Sequence, residues 1–268
     1  MFSSYTIACM LICAILCTAI PIGAMIIIKV KNKEVKLSSF FIGGGVFIIF
    51  ALILEQLLHS VMLPFVSGST AAYVIYGTLA AGVFEESGRF IAFKTVLKKA
   101  DRKNAVMFGL GHGGTEAIIL VGLTMFSYAA TAVMTNSLGL EKMAELSSAG
   151  NAETAELLRI QLEALSSFGI ANVLLNTLER LLAITFHTAA SVMVFEAARV
   201  REKRFLYPLC ILLHALLDVP AALYQRGVLT MGMIYPIMIV ITAAVVFLAA
   251  RSYRRTAAVS AEVTADGR

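Results

Sequence analysis

Residues 70–96 read TAAYVIYGTLAAGVFEESGRFIAFKTV, with Glu85, Glu86 and Arg89 set deep in an apolar run. A mostly apolar stretch of about 18 residues or more is a candidate membrane-spanning helix, because about 20 residues cross the hydrocarbon core. An ionisable group near the bilayer centre costs at least about 2.5–3.5 kcal/mol on insertion scales, so such groups are rare and usually functional. This stretch therefore predicts a transmembrane helix that carries a functional polar cluster.

The rest of the chain extends that reading. The 268 residues are 59% hydrophobic and 15% charged, with a mean hydropathy of +0.85. Soluble domains lie nearer about 45–50% apolar and about 25% charged. Apolar segments at 4–28, 38–63, 70–96, 105–134, 168–197, 206–224 and 229–250 predict an all-α polytopic transmembrane bundle of about seven spans. The expected organisation is a single transmembrane domain, 1–250, with a catalytic core at about 70–224 and an external helical segment at 135–167. A flexible cytoplasmic tail, 251–268, follows.

The net charge of +5 does not imply nucleic acid. Basic residues fall in short connections, 29–36, 98–103 and 199–204, and again after Arg251. Such clusters mark the cytoplasmic side. Residues 135–167 instead hold Glu141, Glu145, Glu153, Glu156 and Glu163 against Lys142 and Arg159. The alternation places the N-terminus outside and the C-terminus inside, in a bacterial cytoplasmic membrane. The expected partners are the lipid bilayer and a membrane protein or peptide substrate. The N-terminus lacks a basic n-region and a small-residue exit site, so it reads as a retained helix. Cys9, Cys13 and Cys17 share one helix stripe and, with Cys210, read as small apolar packing groups rather than a disulfide framework.

Counting along each span brings the polar residues to one layer. At 1.5 Å per residue, Glu85 and Glu86 lie about 16 Å from the cytoplasmic end of their span. His112 and Glu116 lie at about 12–18 Å, His187 at about 15 Å, and His214 and Asp218 at about 13–19 Å. Four-residue spacing puts Glu85 with Arg89, His112 with Glu116, and His214 with Asp218 on shared helix faces. Arg89 can neutralise glutamates that would otherwise repel. Glu55, His59 and Glu179 sit closer to the outer surface and read as polar packing or the lining of an access path. Gly109, Gly111, Gly113 and Gly114 flank His112 and allow close backbone approach.

Three histidines with acids suit Zn²⁺ with an open position, where a glutamate can act as general base on water. His112, His187 and His214 are the expected metal ligands, Glu85, Glu86 and Arg89 the catalytic group, and Glu116 and Asp218 supporting or additional ligands. The soluble zinc-protease signature is absent, so the ligands must come from separate helices. Ser87 and Ser191 read as packing serines. A buried carboxylate pair also suits a proton- or ion-coupled transporter, although no internal repeat of the transporter kind is visible. A non-catalytic scaffold or sensor is a third reading.

The ordered set Glu85-Glu86-Ser87-Gly88-Arg89, Phe108-x-x-x-His112, His187 and His214-x-x-x-Asp218 resembles the intramembrane proteases of the CAAX prenyl-protease and bacteriocin-processing superfamily. It is similar to the PrsW-type proteases, and most of all to the bacterial YhfC family of intramembrane metalloproteases. The resemblance covers about half the chain. It implies an intramembrane endopeptidase, with Glu85 and Glu86 in water activation and His112 and His214 touching water or metal. Asp218 takes the last polar position of the final motif. Arg89 falls one residue earlier than in the prenyl proteases, closer to the PrsW spacing. PrsW-like proteins carry an acid where His112 stands.

Overall fold

A computed structural model describes residues 1–149 and 151–266, with side chains through 253. Each apolar segment is helical, and no strand occurs among the described residues. Helix α1 spans Ser4–Lys31. Helix α2, Leu37–Phe47, widens into a π-helical stretch, Ile48–Glu55, and continues as α3, Gln56–Val66. Helix α4 covers Thr70–Lys94, and the Ser69 side chain caps it by accepting from Ala72 N. Helix α5, Arg102–Glu116, passes through a second π-helical stretch, Ala117–Leu123, into α6, Thr124–Leu138.

Two shorter helices, α7 (Leu140–Ser147) and α8 (Ala152–Leu165), occupy the acidic segment. Gly139, at φ 89°, makes the break before α7, in a region of backbone space that favours glycine. Helix α9 spans Ile170–Arg199, α10 Leu206–Gln225 and α11 Met231–Asp266. The tail expected to be flexible from residue 251 is helical as far as Asp266, and its last residues, 267 and 268, lie outside the described residues.

Among the described residues, six helical rods are long and apolar enough to cross a membrane: Ser4–Lys31, Leu37–Val66, Arg102–Leu138, Ile170–Arg199, Arg201–Gln225 and Met231–Tyr253. Helix α4 has the length, at 25 residues, but carries Glu85, Glu86, Arg89 and Lys94. The protein is an all-helical, multi-pass membrane protein.

The chain divides into two compact units, Met1–Ile22 with Glu116–Leu181, and Gly23–Thr115 with Leu182–Arg268. In the first, Cys9, Met10, Cys13 and Cys17 pack with Val121, Ala129, Ala132, Leu162 and Val173. The thiols are free and buried. Arg180 bridges Glu179 beside it, at 2.8 Å, and Glu116, at 2.7 Å. The second unit is built around Phe93, Phe108, Phe186, Met193 and Val245. The Phe93 and Phe108 rings, 4.7 Å apart, join α4 to α5, and Phe93 meets Phe195 of α9 at 5.4 Å.

The basic connections meet at one end of this second unit. Arg102 Nε and Lys203 Nζ both donate to the buried Glu196 carboxylate, at 2.5 and 3.0 Å. Lys203 also reaches the Ser252 Oγ of α11 at 2.9 Å, and Lys103 pairs with Glu34 at 3.0 Å. At another junction, Arg226 donates to the Ser67 carbonyl at 3.0 Å, and the Tyr73 hydroxyl donates to Gln225 at 2.8 Å.

Candidate active site

Helices α4, α5, α9 and α10 of the second unit each deliver side chains to one buried cluster. Glu86, Arg89 and His112 are fully buried, and Glu85, His187 and His214 retain at most 7% exposure. An uncompensated charge there would be costly, so the contacts must be mutual. They are. Arg89 Nη1 donates to Glu86 Oε1, and Nη2 donates to Glu85 Oε2 at 3.3 Å and to His187 Nδ1 at 2.5 Å. His112 Nε2 donates to Glu85 Oε2 at 2.7 Å, and His214 Nδ1 donates to Glu86 Oε1 at 2.8 Å.

The two adjacent glutamates thus have different company. Glu86 is anchored by Arg89 and His214. Glu85 faces His112, with His187 Nδ1 and His214 Nε2 each 3.8 Å from its oxygens. Asp218 lies 3.6 Å from His214 Nε2 and has a side chain 37% exposed.

Packing fixes the imidazoles. Phe47 meets His112 edge-on at 5.4 Å, and Phe186 meets His214 edge-on at 5.2 Å. Helix α5 can bring His112 this close because its neighbours along the chain lack side chains. A Cβ on Gly109 would lie 2.6 Å from Thr188 Cα of α9, and one on Gly111 would overlap the Phe40 carbonyl of α2.

Glu85, His187 and His214 each offer a ligand atom within 4.8 Å of the others, a group that could hold a metal ion. The donor chemistry fits at His214. A ligating histidine commonly gives its second ring N–H to a carboxylate, which fixes the tautomer. His214 does so to Glu86, leaving Nε2 as the nitrogen that faces Glu85.

Of the expected ligands, His112 stands outside this converging trio and is bonded to Glu85 in it. Glu116 belongs to the first unit, where it pairs with Arg180. Ser87 bonds the Tyr207 hydroxyl at 2.8 Å, and Ser191 packs beneath Gly109. The sequence reading passed over Tyr76, which joins His59 at 2.8 Å. Its position beside a second acid–histidine pair is visible only once α3 and α4 are packed.

The model of the YhfC intramembrane metalloprotease family matches residues 16–240. The chain is 36% identical over 232 residues to the uncharacterized membrane protein YhfC of Bacillus subtilis (strain 168), covering 84% of this chain and 87% of the relative. No solved structure matches. A match of that extent, with that identity, places the chain in a family: the protein belongs to the YhfC intramembrane metalloprotease family.

Proposed function

We propose that this protein is an endopeptidase of the bacterial cytoplasmic membrane that hydrolyses peptide bonds of membrane-associated chains. The observation that carries the reading is the convergence of Glu85 with three histidines and a fully buried Arg89 inside apolar helices. A cluster of this kind costs stability at a depth where packing alone needs only apolar side chains, and the chemistry of hydrolysis repays it.

Glu85 is the carboxylate that meets water. It keeps slight exposure, whereas Glu86 has none. The Glu85 carboxylate accepts a proton as the water oxygen bonds to the peptide carbonyl carbon. Glu85 then gives that proton to the leaving amine as the C–N bond breaks. Glu86 fixes the His214 tautomer and holds Arg89. The buried guanidinium supplies fixed positive charge beside the developing oxyanion. His112 orients Glu85 through its N–H.

Glu85, His187 and His214 would hold zinc, which when bound lowers the pKa of water and polarises the carbonyl. A helical substrate must unwind locally, because its carbonyls are tied up in its own hydrogen bonds.

The test is metal content and cleavage of model membrane peptides by purified protein. About one zinc per chain is expected, as for a site with three protein ligands and an open position. It should disappear in His187→Ala/His214→Ala. Glu85→Gln should stop cleavage, and full activity in that variant would sink the assignment.

A further inference from the structure

A second polar group lies one helix away from the cluster. Glu55 is buried at the end of the first π-helical stretch. His59 Nε2 donates to Glu55 Oε1 at 3.1 Å, and the Tyr76 hydroxyl donates to His59 Nδ1 at 2.8 Å. The three side chains form one hydrogen-bonded file between α3 and α4. At its inner end, the π-helical stretch that leads to Glu55 packs on α4 at Gly88, two residues beyond Glu86, where a Cβ would lie 2.7 Å from the Phe50 ring. Its outer end, at Tyr76, is about 9 Å along α4 from Thr70. Beyond it come Tyr73, Gln225 and Arg226, bonded across the turns that close α4 and α10.

Each of these groups is unfavourable in hydrocarbon, yet Glu55, His59 and Tyr76 lie on the stretch of α3 and α4 between the cluster and the helix ends. Apolar residues on the other face of the same helix, Ile53 and Leu57, are 48% and 62% exposed. Glu55 and His59 are thus turned into the seam, away from these apolar residues. A π-helical stretch often marks a functional position, because it turns one side chain out of the regular α-helical register. Here the stretch ends on Glu55. Hydrolysis consumes one water for each bond broken, and a bilayer supplies none.

We propose that Glu55, His59 and Tyr76 line a water inlet from the 67–69 and 226–230 turns to Glu85. The purpose of the inlet rests on the hydrolytic reading; its wetness does not. Only a hydrated thiol ionises to the reactive thiolate, so reaction with a charged, membrane-impermeant methanethiosulfonate reports water at a chosen position. The protein is placed in phospholipid nanodiscs, with the native chain and its buried cysteines as the blank.

Glu55→Cys and Tyr76→Cys should react at least about tenfold faster than Ile53→Cys and Leu57→Cys. Adding Tyr76→Trp to Glu55→Cys should slow the inner label again. If Glu55→Cys does not fold, His59→Cys takes its place. Labelling at the rate of the lipid-facing controls would overturn the inlet even if the protein cleaves peptides. Fast labelling in a protein without peptidase activity would leave the inlet standing and overturn the function.

Discussion

Residues decide this site through what each adjacent acid touches. Depth was legible in the sequence, because rise per residue is fixed along a helix. That alone placed Glu85, His112, His187 and His214 in one layer. Direction around the axis was not legible, since neighbouring positions point about 100° apart and packing sets the rotation. So the sequence left Glu85 and Glu86 equivalent, whereas in the structure Glu86 anchors Arg89 and His214 and Glu85 faces the histidines. The two should therefore fail differently. Glu85→Gln should lower cleavage by about 10²–10⁴-fold, the usual contribution of a general base, with little change in melting temperature. Glu86→Gln strips a partner from a fully buried guanidinium and should cost about 3–5 kcal/mol of stability. Thermal melts in detergent beside a peptide-cleavage assay separate these outcomes.

Elements carry the site only as closely as their backbones allow. The glycines of α5 looked in sequence like a place of close approach, and the structure shows what approaches: α9 at Gly109 and α2 at Gly111. The π-helical stretches were not legible, because apolar runs such as 48–54 read the same in either helix type. Gly109→Ala and Gly111→Ala should each destabilise the protein by about 1–3 kcal/mol, the ordinary cost of forcing a methyl group into a filled space. Gly45→Ala, on α2, meets nothing within 4 Å and gains helix propensity, so it should melt no lower than the native chain. Equal losses at all three positions would mean that α5 is not pressed against its neighbours as described.

For the whole molecule the question is which end faces the cytoplasm. The sequence argued it from Lys and Arg counts alone. The structure adds that these residues are physically gathered. Glu34, Lys103, Arg102, Glu196, Lys203 and Ser252 link the 29–36, 98–103 and 199–204 connections and α11 at one end of the second unit. Ser67, Tyr73, Gln225 and Arg226 link the weakly basic 67–69 and 226–230 turns in their own junction. Opposite leaflet assignments for the two groups are the expectation to be tested, because moving clustered cations across the bilayer is costly. In intact bacterial cells an impermeant maleimide should label Ser69→Cys and Val228→Cys. It should label Lys99→Cys and Arg201→Cys only after the membrane is permeabilised. The reverse pattern would invert the protein and make the water inlet open to the cytoplasm. Labelling of Ser69→Cys and Lys99→Cys from the same side would mean that α4 does not cross. The cluster on α4 would then be buried by protein without spanning the bilayer, and the insertion cost that makes Glu85, Glu86 and Arg89 significant would no longer apply.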